Sequence, residues 1–163
     1  MNISKPQIYL FTDGSVNPQS GIGLGAYLLL EKKEFFSSQL EKKINIKKFD
    51  NTSSTQLELE TLLWALDDIN LKNFKIVVYT DCQNIIGLNE RRDRFEKNNY
   101  MTAKGSVIKN HELYKDFFKR LDILDCDFIK VEGHKKASVK NEIDKIFTLV
   151  DRATRMALRK TFL

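Results

Sequence analysis

Asp13, Glu58 and Asp81 are carboxylates in places where a folding chain gains nothing from a charge. Asp13 closes an apolar run, Ile8-Tyr9-Leu10-Phe11-Thr12, and Asp81 closes another, Ile76-Val77-Val78-Tyr79-Thr80. Glu58 lies inside an apolar helical pattern that runs from Leu57 through Leu59, Leu62, Leu63 and Trp64 to Leu66. A charge beside core-directed residues is costly unless it is paired or binds a cation. Acids that converge make a hard-cation site, because magnesium prefers oxygen ligands. Metal-assisted chemistry of that kind acts most often on phosphate esters.

The elements that must position these acids can be read from pattern. Residues 7–13 and 22–31 read as strands, separated by a turn-rich loop with Gly14, Asn17, Pro18 and Gly21. A third strand is expected within residues 34–49, from Phe35, Phe36, Leu40, Ile44 and Ile46, with charged interruptions that blur its limits. Ser53 and Ser54 can cap a helix over about residues 55–69. A β-branched and aromatic strand covers 74–80, and a short helix follows Asp81. Leu113, Phe117, Phe118 and Leu121 place a helix over 111–121, and residues 126–132 form another strand. Ile143, Ile146, Phe147, Val150, Ala153, Ala157 and Leu158 mark a C-terminal helix. Three consecutive strands followed by strands separated by helices imply a mixed sheet with helices packed on it.

The bulk composition narrows the classes. A chain of 163 residues fits one domain, residues 1–163, with a substantial core. Hydrophobic residues at 42% and charged residues at 30% describe an ordinary globular protein rather than a disordered or membrane-spanning one. The first residues, Met1-Asn2-Ile3-Ser4-Lys5-Pro6, have no apolar signal core, so a cytoplasmic location without membrane attachment is expected. Cys82 and Cys126 are not in a CxxC spacing, which favours free thiols over a disulfide or zinc site. The net charge of +5 around an acidic centre suits a polyanionic substrate.

Four motifs in series resemble the type I class of ribonuclease H. Thr12-Asp13-Gly14-Ser15 with Gly21-Ile22-Gly23-Leu24-Gly25-Ala26 is similar to that family's first two strands. Gln56-Leu57-Glu58-Leu59 with Ala65-Leu66 is similar to its first helix, and Tyr79-Thr80-Asp81-Cys82-Gln83 to its fourth strand and the turn after it. Val131-Glu132-Gly133-His134 resembles the last strand and the loop that carries the family's histidine. The order and spacing agree over nearly the whole chain.

The resemblance implies an α/β ribonuclease H-like fold, a five-stranded mixed sheet of order 3-2-1-4-5 with helices on both faces. It implies endonucleolytic hydrolysis of the RNA strand of an RNA–DNA hybrid, leaving 5′-phosphate and 3′-hydroxyl ends. Two magnesium ions would serve, with manganese able to substitute, held by Asp13, Glu58, Asp81 and a fourth acid. The fourth acid has two candidates. The family's spacing from the histidine points from His134 to Asp144. Asp151, however, is followed by the small residues Ala153, Thr154 and Ala157, as in the family's last helix, and the length of chain after it fits that helix better. The two lie about two turns apart on one helical face, and Asp151 is favoured. His134 would handle protons or assist product release. The resemblance favours a monomer.

Each assignment has a plainer rival. Asp13 could begin a turn, Glu58 could be a solvated helix residue, and Asp81 could cap the helix after it. The segment 89–109 carries Arg91, Arg92, Arg94, Lys97, Lys104 and Lys109 against Glu90, Asp93 and Glu96. It reads either as a solvated face of ion pairs or as a basic protrusion gripping phosphates without sequence preference. The family's tryptophans are absent from it. Gln56 and Gln83, with Asn17, Ser54, Thr55 and Asn84, are expected either to read 2′-hydroxyls in the minor groove or to make loop and cap hydrogen bonds. Trp64 is expected in the core. Two alternative functions remain at this level: a ribonuclease H-like nuclease acting on another nucleic acid, and a non-catalytic hybrid-binding module.

Overall fold

The computed structural model describes residues 4–69, 71–132, 136 and 141–163. Five strands form one sheet in the order β3-β2-β1-β4-β5. They are β1 (Gln7–Asn17), β2 (Ile22–Leu30), β3 (Asn45–Phe49), β4 (Lys75–Thr80) and β5 (Asp125–Lys130). The first three make an antiparallel meander, and β4 and β5 add in parallel beyond β1. The helices are α1 (Ser54–Ile69), α2 (Gln83–Ile86), α3 (Arg92–Lys97), α4 (His111–Ile123) and α5 (Glu142–Thr161).

Strand alternation sends successive side chains to opposite faces, and two cores result. Ile8 and Leu10 of β1, with Ile76 and Val78 of β4, pack against Leu59, Leu62, Leu63 and Leu66 of α1 and Phe117 and Phe118 of α4. Phe11 of β1, with Val77 and Tyr79 of β4, packs on the other face against Ile146, Phe147 and Val150 of α5. Asp13 and Ser15 continue the alternation of Phe11, so β1 carries them on the α5 side.

Three glycines decide how closely α1 approaches the sheet. A Cβ on Gly14 or Gly23 would stand 2.8 Å from the Leu57 side chain, and one on Gly25 only 2.1 Å from Thr61 Oγ1. Gly14 and Gly25 are cross-strand partners. The gap they leave is filled by α1, which brings Glu58 beside Gly14.

The third strand is shorter than expected. Only 45–49 pairs with β2; Lys32–Glu34 and Leu40–Lys43 are 3₁₀ turns. The charged interruptions are the reason. Glu31 and Glu34 cap the first turn reciprocally, and Lys43 pairs with Glu34. Leu40 and Phe35, apolar residues that suggested a strand, instead drop into the α5-side core. The segment after Asp81 holds more helix than expected, a 3₁₀ turn at Asn89–Arg91 followed by α3. Beyond α3 the chain turns sharply, with positive φ at Asn99, Tyr100 and Gly105 and a bridge between Met101 and Val107.

Candidate active site

The pairing of β1 with β4 stops at Phe11 and Tyr79. Two residues further along each strand stand Asp13 and Asp81, just outside the carboxyl ends of the parallel pair. Crevices at that position in α/β sheets are where ligands bind. Glu58 arrives from α1 through the opening at Gly14. One oxygen from each of Asp13, Glu58 and Asp81 lies within 4.8 Å of the others.

The electrostatics of this cluster are unfavourable as it stands. Asp13 is 3% exposed and Glu58 8%. Burial, and then the charges of Glu58 and Asp81, push the Asp13 carboxyl up to about 10. Burial and the charge of Asp81 push Glu58 up to about 8, although the Gly14 N–H donates to it and opposes the shift. Glu58 Oε2 is buried without a hydrogen-bond partner. A buried carboxylate oxygen with nothing to accept from is costly. Oxygen donors of this number and closeness fit a hard divalent cation, which would supply the missing partner and relieve the repulsion.

Of the two candidates for a fourth acid, Asp151 is the one beside the cluster. Its side chain lies within hydrogen-bonding range of Asp13 and adds to the raising of both Asp13 and Glu58. Arg155, one turn later on α5, forks onto it, with Nε 3.1 Å from Oδ1 and Nη2 3.0 Å from Oδ2. Asp144 has a different position. It stands in the first turn of α5 in a reciprocal capping box, where its N–H donates to Asn141 Oδ1 at 2.9 Å and its Oδ2 accepts from the Asn141 N–H at 3.1 Å. Helix start and candidate ligand are therefore two turns apart, as the sequence spacing requires. His134 lies outside the described residues.

The polar residues around the acids divide. Lys130 Nζ donates to Gln83 Oε1 at 2.9 Å, and Gln83 itself is exposed. Gln56 Nε2 makes a long contact of 3.4 Å to the Asn51 carbonyl and is otherwise accessible. Asn17 Oδ1 accepts from the N–H groups of Gln19 and Ser20, a turn role.

The arginines of the expected basic protrusion also divide. Arg91 is turned inward: Nη2 donates to the Asn84 carbonyl at 2.7 Å and to Asn84 Oδ1 at 2.6 Å, and Nε to the Gly87 carbonyl. Arg92 forks onto Asp122 at 2.6 and 2.9 Å and donates to Glu96 through Nε. Arg94 lies over the Phe95 ring, and Lys97 is exposed. Of these four, Arg94 and Lys97 keep the outward character expected of a phosphate grip, and Lys104 and Lys109 beyond them are exposed as well. Three residues were missed by sequence reasoning: Ser15, Arg155 and Lys130. For Arg155 the i,i+4 spacing from Asp151 was the available signal; Ser15 and Lys130 find their partners only through the fold.

A mixed five-stranded sheet with acids converging at the carboxyl ends of its adjacent strands β1 and β4, joined by one from α1, defines a class of proteins suited to holding divalent cations. The RNase H family model matches residues 5–155, and the chain belongs to that family. A ribonuclease H of Caldicellulosiruptor saccharolyticus is 27% identical over 143 residues, spanning 86% of this chain and 92% of the relative. One of Clostridium botulinum is 29% identical over 144 residues, with the same shares covered. Among solved structures, a type 1 RNase H with the type 2 active-site motif superposes with a TM-score of 0.70 at 17% identity, covering 96% of this chain and 74% of that one. The PFV RNase H domain gives 0.68 at 12% identity, covering 93% of each. These two likenesses establish the fold. The order β3-β2-β1-β4-β5 expected from the motifs is the order observed.

Proposed function

We propose that this ribonuclease H hydrolyses the RNA strand of RNA–DNA hybrids, with Asp13, Glu58, Asp81 and Asp151 holding two divalent cations. Magnesium is the natural ion for an all-oxygen set, and manganese accepts the same ligands. The observation that carries this reading is the meeting of three carboxylates around a buried, unpartnered Glu58 oxygen. When bound, the cations would activate a water and stabilise the leaving 3′ oxygen, which gives 5′-phosphate and 3′-hydroxyl ends.

The chain's own groups do the rest. Asp13, on the central strand, faces Glu58, Asp81 and Asp151 and so would be the common ligand. Gln83, its carbonyl occupied by Lys130, offers N–H donors to the minor groove, where hydroxyl oxygens and base acceptors lie. Gln56, in the first turn of α1 and two residues before Glu58, serves the same purpose. Arg94 and Lys97, with Lys104 and Lys109 on the turn beyond, contact the phosphate backbone, which gives affinity without base preference. Arg91 and Arg92 hold that segment in shape. His134 serves proton transfer or product release. The chain acts as a single domain and a monomer in the cytoplasm; no described helix is long and apolar enough to cross a membrane.

The test is cleavage of an end-labelled hybrid with magnesium, beside single-stranded RNA, duplex RNA and duplex DNA. Hybrid cutting that is lost in Asp13→Asn and Asp151→Asn but kept in Asp144→Asn is expected. Cutting that survives Asp151→Asn and disappears in Asp144→Asn would overturn the ligand assignment. A folded, cation-binding protein that cuts none of the four would overturn the function.

A further inference from the structure

Ser15 and Thr154 are 139 residues apart in sequence, yet their hydroxyl oxygens are 2.8 Å apart. Ser15 is two residues after Asp13 on β1, so the two side chains share a face. Thr154 is three residues after Asp151 on α5, one turn away. Each hydroxyl is therefore the near neighbour of one carboxylate, and together they bridge the strand to the helix at the level of the acids.

The proton directions in this bridge are fixed. Thr154 Oγ1 also lies 2.8 Å from the Asp151 carbonyl oxygen, which can only accept. Thr154 has one hydroxyl proton and gives it to that carbonyl. Its remaining contact, to Ser15, must then be one in which Ser15 donates. The result is a directed chain, Ser15 O–H to Thr154 Oγ1, and Thr154 O–H to the Asp151 carbonyl. Thr154 is fully buried, and a buried hydroxyl bond is stronger than a solvated one.

We infer that Ser15 and Thr154 are positioning residues that fix the separation between Asp13 and Asp151 and so set the affinity for the more weakly held of the two cations. The inference rests on the proposed function, in which Asp13 and Asp151 are both cation ligands. Away from the acids, α5 packs on β1 through the apolar residues of their shared core, and apolar contacts are non-directional and tolerate small sliding. The separation of carboxylates that are cation ligands tolerates much less, because magnesium demands near-ideal octahedral geometry.

The substitutions are mild. Thr154→Val removes the hydroxyl and keeps the shape; Thr154→Ser restores the hydroxyl. Thr161 supplies a control, because its Oγ1 donates to the Ala157 carbonyl of the same helix with no tie to β1. Cation binding is read by calorimetric titration of the whole protein with magnesium and with manganese, and kcat and KM are read on the hybrid. In Thr154→Val the weaker cation site is expected to lose about three- to tenfold in affinity, the scale of a net hydrogen bond, with the stronger site unchanged. At limiting magnesium kcat falls by a similar factor, recovers with excess cation, and leaves KM for the hybrid unchanged. Ser15→Ala repeats the effect, and the double variant is no worse than Thr154→Val alone, because one chain is broken either way. Thr154→Ser and Thr161→Val behave as the parent. Parent-like titrations for both Thr154→Val and Ser15→Ala would overturn the inference while leaving the nuclease reading intact. A parent that binds two cations but cuts no hybrid would overturn that reading and leave the titrations to decide the positioning role. A parent that binds no divalent cation would overturn both.

Discussion

Two charged regions of this molecule are handled in opposite ways. Around Asp13 the carboxylates converge, with Asp13 and Glu58 buried, like charges facing one another and a Glu58 oxygen left unpartnered. Around Arg91 and Arg92 the guanidinium donors are engaged: three donations from Arg91 to carbonyl and amide oxygens, and three from Arg92 to the carboxylates of Asp122 and Glu96. The chain tolerates repulsion in one region and satisfies the donors of the other. Like charges crowded around buried carboxylates are the mark of a missing ligand, whereas engaged donors are architecture.

The comparison breaks first at Asp13. Asp13→Asn should cost about 4 kcal/mol or more of transition-state stabilisation, a loss of about a thousandfold in hybrid cleavage. The same variant should melt higher than the parent in chelator and respond less to added magnesium, as seen by calorimetry with and without the ion. A catalytic loss coupled to a stability gain is the signature of the unrelieved cluster. A variant that melts lower than the parent in chelator would contradict it.

The pH dependence of the metal-free protein sharpens the same point. Burial and like charge raise Asp13 and Glu58 to about 10 and about 8 from ordinary values of 3.8 and 4.5. A carboxyl raised on folding binds its proton more tightly in the native state, so stability is greatest below the unfolded values. It is then lost as pH rises through the folded ones. Urea midpoints in chelator should therefore fall between about pH 5 and pH 9. Magnesium or Asp13→Asn should flatten that slope.

In the engaged region the sign reverses. Arg91→Ala strands the Asn84 and Gly87 oxygens and should destabilise by about 1–3 kcal/mol, read as a lower denaturation midpoint. Its kcat per folded molecule should remain within about threefold of the parent, a difference of less than about 1 kcal/mol. The smallest effect belongs to Arg94 and Lys97. Alanine at either should raise KM for the hybrid by about two- to threefold at low salt and hardly at all at high salt, with kcat unchanged. A larger KM effect from Arg91→Ala than from these two would return Arg91 to the substrate face.

The sheet order and three of the acids were legible because both depend on local signals: apolar runs that end in aspartate, and a glycine-rich second strand. Asp151 was favoured on the small residues that follow it, and α5 does bring it to Asp13, while Asp144 is engaged at the helix start. The roles of Arg91 and Arg92 were not legible. Asp122, the partner of Arg92, is 30 residues away and comes into reach only when α3 packs against α4. Arg91 engages backbone oxygens of a turn whose shape no composition reveals. The third strand was overread because Phe35 and Leu40 are apolar for the sake of the α5-side core, a demand that tertiary packing makes and that strand periodicity does not distinguish.

The contact between Gly25 and Thr61 constrains the order in which this chain can change. A Cβ at position 25 would overlap Thr61 Oγ1 at 2.1 Å and still press on its Cβ and Cγ2 at 3.0 Å. Growth at 25 is therefore permitted only after Thr61 has shrunk, and glycine there gives more room than alanine. The reverse order passes through an intermediate in which β2 must shift, and Gly25 is paired across the sheet with Gly14, the neighbour of Asp13. Mutational paths through this pair are thus one-way, and a position remote from any chemistry inherits the intolerance of the acid it stands behind.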